Sequence, residues 1–227
     1  MTDANLTEVV CVIDRSGSMH SVVDDAIGAF NQMLEDQKRL SGYANMTIAL
    51  FDDCYDIIAD NVPVRDVAPL NRATYVPRGL TALLDAIGRT IDNVGRRLAQ
   101  TREDYRPGKV LFVVLTDGHE NASHRYTKDK IREMIGHQET KYKWKFLYLS
   151  ADINAFSDAQ TYGFGTSVRY HSDSVGTRDA VQIFSSSVSN YRNCGDIGFR
   201  GNVDMTDSTT DIKIVKQTNE ANEQKPQ

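Results

Sequence analysis

Two stretches of nearly unbroken, largely β-branched apolar residues constrain this chain more than anything else in it. Val9–Ile13 reads Val-Val-Cys-Val-Ile, and Lys109–Leu115 reads Lys-Val-Leu-Phe-Val-Val-Leu. A strand without a polar face has nothing to offer water, so both its faces must be covered, as in parallel sheets packed between helices. Each run also stops on similar chemistry. The first ends at Asp14-Arg15-Ser16-Gly17-Ser18-Met19 and the second at Thr116-Asp117-Gly118.

Helical periodicity fills the intervals. Val23, Ile27, Phe30, Met33 and Leu34, spaced by three and four, predict a helix from about Val22 to Leu40. Leu84, Ile87, Ile91, Val94 and Leu98 do the same for Thr81–Leu98, and Thr127–Glu139, Ile153–Tyr162 and Ala180–Tyr191 suit further helices. Met46–Phe51 and Cys54–Ala59 read as a hairpin turned at Asp52-Asp53, Trp144–Leu149 as a strand, and Thr166–Tyr170 as a weaker one. This alternation implies an α/β fold: a Rossmann-like, open, mostly parallel sheet with one antiparallel edge strand and helices on both faces. Ligand sites in such sheets lie beyond the carboxyl ends of the strands, near a reversal of strand order. Asp14 and Asp117 should both emerge there. From about Gly195 the apolar pattern fades, so residues 196–227 are expected to form a polar, partly disordered tail with a weak apolar patch at Ile212–Val215.

Composition narrows the partners. With 227 residues, 40% of them hydrophobic, one large domain with a sizeable core is expected. The formal charge of −5, without basic clusters, argues against nucleic acid. No apolar run is long enough to span a membrane, and the N-terminus lacks the basic-then-apolar order of a signal peptide. Cys11, Cys54 and Cys194 form no metal-like spacing, and an odd count fits a reducing cytoplasm.

Asp14-x-Ser16-x-Ser18 offers one carboxylate and two neutral oxygens at alternate positions, a plausible half-site for a hard cation such as Mg²⁺, which takes oxygen ligands and few protein carboxylates. The same residues also suit a turn or a helix cap. Gly79-Leu80-Thr81 before a helix and Thr116-Asp117-Gly118 after a strand add a hydroxyl and a second carboxylate. Thr81 as a plain cap and Asp117 as a plain turn residue are the bland alternatives.

Taken together the three loops resemble the von Willebrand factor type A (VWA) domain and its metal-ion-dependent adhesion site, over roughly residues 6–195. The resemblance implies that Ser16 and Ser18 coordinate a divalent cation directly. Thr81 would do so directly in some states and through water in others, and Asp14 and Asp117 mainly through water. It further implies Mg²⁺, or Mn²⁺ or Ca²⁺ in its place, and a partner protein whose Asp or Glu completes the shell. The wording Asp-Arg-Ser-Gly-Ser-Met and Thr-Asp-Gly-x-Glu-Asn is most similar to stand-alone bacterial and phage members. A cytoplasmic metal-dependent protein-binding module, not an enzyme, is therefore expected, with neither nucleic acid nor membrane as partner.

The rival is a metal-assisted hydrolase or phosphotransferase using the same Mg²⁺. It would need His119 or Glu120 as a general base, and the chain has no Gly-rich phosphate loop. A dinucleotide-binding reading fails because Gly-x-Gly-x-x-Gly is missing after the first strand. Asp85, one turn after Thr81, suits the positive end of its helix, and Asp152 is a candidate for the rim. Asp52 and Asp53 read as turn residues, and His124, His137 and His171 stand isolated.

Overall fold

The computed structural model describes residues 1–206. Its centre is a seven-stranded sheet: β1 (Asp3–Asp14), β2 (Tyr43–Phe51), β3 (Tyr55–Pro63), β4 (Pro107–Thr116), β5 (Lys145–Ser150), β6 (Thr166–Arg169) and β7 (Gly201–Asp204). The strands lie in the order β3-β2-β1-β4-β5-β6-β7. All neighbours pair in parallel except β2 with β3, which makes β3 the antiparallel edge.

The apolar strands sit where their composition requires. From Thr7 to Asp14 every residue of β1 is buried, flanked by β2 on one side and β4 on the other. Successive side chains point to opposite faces, so the run feeds two cores at once. Val9, Cys11 and Ile13 pack with Phe30, Met33 and Leu34 of α1 (Val23–Arg39) and Phe184 and Val188 of α5 (Ser174–Cys194). Val10 and Val12 pack with Ile87 and Ile91 of α2 (Leu83–Gln100), Ile131 and Ile135 of α3 (Lys128–Tyr142), and Tyr162 of α4 (Ala155–Tyr162). At about 1.5–3 kcal/mol for each large apolar side chain buried, these two layers dominate stability.

Strand order reverses between β1 and β4, which are neighbours in register from Thr7–Lys109 to Ile13–Leu115. Their carboxyl ends therefore open side by side, with Asp14 and Thr116 as last residues. Two elements differ from expectation. The stretch 196–206 was expected in the polar tail, yet Ile197 is buried and β7 pairs with β6 from Thr166–Gly201 to Arg169–Asp204. Gly-Asn-Val-Asp carries no apolar pattern because this edge is held by backbone pairing and an Arg169–Asp204 ion pair. The helix after β1 is entered through a 3-10 turn, Gly17–Val22, that contains Ser18. The expected patch at Ile212–Val215 and the rest of 207–227 lie outside the described residues. Among the described residues no helix is long and apolar enough to cross a membrane.

Candidate metal centre

Asp14 ends a buried strand, and its carboxylate is fully buried with it. Oδ1 accepts the Ser16 N–H at 2.6 Å and Oδ2 accepts the Thr116 hydroxyl at 2.6 Å. The Tyr75 hydroxyl donates to the Asp14 carbonyl oxygen at 2.5 Å. Burial pushes the Asp14 carboxyl up to about 6, against the Thr116 and Ser16 hydrogen bonds and with a smaller push from the nearby Asp117 charge. A loop that folds back so tightly on its own Asp carries the next two hydroxyls round to one side. Ser16 Oγ and Ser18 Oγ lie 3.0 Å apart, and Ser18 Oγ donates to Asp117 Oδ1 at 2.6 Å.

Thr81 reaches the same place from the far side of the chain. Its backbone is tied to the loop after β4: Thr81 N–H donates to Asn121 Oδ1 at 2.9 Å, and Asn121 N–H donates to the Thr81 carbonyl at 3.0 Å. The helix that follows starts at Leu83 with Ala82 as its capping residue and no side-chain cap, so the Thr81 hydroxyl is not spent on capping. Ser18 lies inside the 3-10 turn, and the helix after it is capped at Val22 with no side-chain hydrogen bond. The bland alternative of capping therefore describes neither the Thr81 nor the Ser18 hydroxyl.

Gly118 shows how closely these oxygens converge. A Cβ built there would lie 3.0 Å from Thr81 Oγ1, 3.5 Å from Ser18 Oγ and 3.6 Å from Ser16 Oγ. Three hydroxyl oxygens thus surround one small space that a side chain at position 118 would fill. Beside it Asp117 Oδ2 is buried and has no hydrogen-bond partner, a costly state for a carboxylate oxygen. Burial raises the Asp117 carboxyl above its usual range, opposed chiefly by the Ser18 hydroxyl. Hydroxyl oxygens with lone pairs to give, two carboxyls disfavoured as anions, and one unsatisfied oxygen form a donor set that fits a small hard dication. The structure thus brings Asp14, Ser16, Ser18, Thr81 and Asp117 together.

The remaining candidates are engaged elsewhere. Glu120 is half-buried and tied into its loop: Oε1 accepts from the Ala122 and Ser123 amides, and Oε2 from the Ser123 hydroxyl and the Leu84 amide in the first turn of α2. His119 Nδ1 contacts Asp152, whose side chain is buried, and Asp158 lies beside them with ligand atoms within 4.8 Å. Asp85 accepts the amides of His124, Arg125 and Tyr126 and so fastens the loop after β4. Asp52 is more than a turn residue: it is fully buried between Arg15 and Arg78. Thr116, Tyr75 and Asn121 escaped sequence reasoning as supports of the site. Thr116 and Asn121 left a signal as the first and last residues of the Thr-Asp-Gly-x-Glu-Asn wording, and Tyr75 left none.

No family model and no curated protein matches this chain. Solved structures do. Proximal thread matrix protein 1 from the mussel byssus superposes with a TM-score of 0.53 at 13% identity, over 80% of this chain and 46% of that one. A von Willebrand factor type A protein from Catenulispora acidiphila gives 0.51 at 13% identity, over 82% of this chain and 43% of that one. At such identities the likeness is one of fold, and this chain spans less than half the length of either.

Proposed function

Starting from a chain with the VWA fold, we propose that it is a divalent-cation-dependent protein-binding module. Asp14, Ser16, Ser18, Thr81 and Asp117 would hold Mg²⁺, or Mn²⁺ or Ca²⁺ in its place. The observation that carries this reading is the convergence of three hydroxyl oxygens beside Gly118, next to the unpartnered Asp117 Oδ2. A bound dication supplies a positive charge that takes a lone pair from an incoming carboxylate. The chain's own part is to hold the hydroxyls in place and to keep two carboxyls close by as charge. The three converging hydroxyls are neutral, so the ion's charge would be offset only by Asp14 and Asp117. An Asp or Glu side chain of a partner protein is the natural complement.

The arrangement lends the hydrolase reading no support. A general base must be free to take a proton. Glu120 accepts four hydrogen bonds that shape its own loop, and His119 is turned onto Asp152. The three cysteines, Cys11 buried and Cys54 and Cys194 exposed, are all free thiols, which suits a cytoplasmic setting.

Two measurements test the proposal. Calorimetric titration with Mg²⁺ and Mn²⁺ should show one site, lost when Asp117 is replaced by Ala. Pull-downs should then capture protein partners with the cation present and release them with EDTA. Absence of any cation binding overturns the reading. Capture that EDTA leaves unchanged overturns the bridging role alone.

A further inference from the structure

A buried charge cluster that the metal reading does not use lies between the two loops that must meet for the site to exist. Asp52 follows β2 and contributes no oxygen to the space beside Gly118. Its carboxylate is fully buried, and Oδ2 accepts both Arg15 Nε at 2.9 Å and Arg78 Nε at 2.9 Å. Oδ1 accepts the Cys54 amide, and the Asp52 carbonyl accepts the Ala82 amide at 2.9 Å. Arg15 stands between Asp14 and Ser16, while Arg78 and Ala82 bracket Thr81. A single residue therefore grips both halves of the candidate site.

Backbone bonds close the frame around it. Arg15 N–H donates to the Phe51 carbonyl at 2.8 Å, Arg78 N–H to the Arg15 carbonyl at 2.9 Å, and Gly17 N–H to the Gly79 carbonyl at 3.3 Å. Gly79 sits at φ +65, a backbone conformation that strains an L side chain, so glycine suits the loop before Thr81. Arg15, with a side chain only 6% exposed, also reaches Asp56. A buried guanidinium of this kind is held by its carboxylates in one geometry, because any other leaves it unpaired in a poor solvent.

We infer that Asp52 is a positioning residue of the metal centre: by clamping Arg15 and Arg78 it sets the spacing between the Ser16–Ser18 loop and Thr81. The inference rests on the metal reading above. Residues that orient ligands from behind typically change metal affinity by about 10–100-fold when replaced.

The test is Mg²⁺ titration calorimetry with thermal melts on wild type, Asp52→Asn, Arg78→Ala and Glu8→Gln. Glu8 is the matched control. It is a buried carboxylate on β1 paired with Arg97 and the Thr47 hydroxyl, roughly 20 Å along the strand from Asp14. Asp52→Asn should weaken Mg²⁺ binding by about tenfold or more, and Arg78→Ala in the same direction, while Glu8→Gln lowers the melting temperature and leaves affinity within about twofold. Asp52→Asn binding within about twofold of wild type overturns the inference, as does an equal loss in Glu8→Gln, which would mark a general effect of stability. Should Asp52→Asn fail to fold, Arg78→Ala decides, since that side chain is 52% exposed; unchanged affinity there overturns the inference. A wild-type protein that binds no Mg²⁺ overturns the metal reading first and this inference with it.

Discussion

Thr81 and Asn121 hold each other by two hydrogen bonds, one from each backbone amide, across 40 residues of chain. Thr81 is thereby fixed through its main chain while its hydroxyl stays available. Asn121→Ala removes no candidate ligand oxygen but leaves the Thr81 amide without its acceptor. Mg²⁺ affinity should fall by about tenfold. Asn121→Asp, which keeps the acceptor, should retain it. Calorimetry on the two variants checks this; equal affinity in Asn121→Ala and wild type would show that Thr81 needs no such support.

Gly118 gives a cleaner lesion. Its backbone is not in the left-handed region, so alanine is tolerated by the main chain. Where the backbone can be adopted by an L residue the exchange tends to stabilise, by about 0.4–1 kcal/mol, through the unfolded state. The new methyl would nevertheless occupy the space 3.0 Å from Thr81 Oγ1. Gly118→Ala should therefore abolish Mg²⁺ binding with little change in melting temperature. Retained binding would place any ion elsewhere.

Much of this was legible in the sequence, for a physical reason. β1 and β4 are buried on both faces, so their apolar runs need no periodicity to be recognised, and the oxygen-bearing residues that end them stand out against those runs. What escaped depends on partners distant in sequence. Asp52 in a hairpin turn looks like turn chemistry until Arg78 comes within reach of it. Glu120 looks like a loop residue until the Leu84 amide at the start of α2 meets it. β7 is a four-residue edge whose identity lies in backbone pairing, which composition does not register.

Asp14 is fully buried and both its oxygens accept hydrogen bonds. That sets the expected outcome of replacing it. Asp14→Ala leaves the Ser16 amide unsatisfied, at about 1–3 kcal/mol, and leaves the Thr116 hydroxyl only the Gly118 carbonyl at 3.3 Å. Asp14→Asn can keep both contacts, its carbonyl accepting from Ser16 and its amide donating to a rotated Thr116 hydroxyl. It also removes a charge that burial disfavours. Thermal melts without metal should show Asp14→Asn close to wild type and Asp14→Ala clearly lower, and calorimetry should show weakened Mg²⁺ binding in both. A Asp14→Asn protein as unstable as Asp14→Ala would count against the hydrogen-bond account.

The last prediction concerns acid. Partial burial raises the Asp85 carboxyl, but the amides of His124, Arg125 and Tyr126 outweigh it and hold the carboxyl below its ordinary 3.8. The folded protein therefore binds this proton less readily than the unfolded chain does. Its contribution to stability is complete above the unfolded value and drains away as pH falls through the folded one. The loop it fastens carries Asn121, so acid should loosen the support of Thr81 as well. Amide hydrogen exchange at Arg125 and Tyr126, corrected for intrinsic rates, should accelerate below about pH 4 relative to amides in β1. Asp85→Asn should show faster exchange already at neutral pH and lose that dependence. Were Asp85→Asn to keep the wild-type profile, some other carboxylate would be the one that holds the loop.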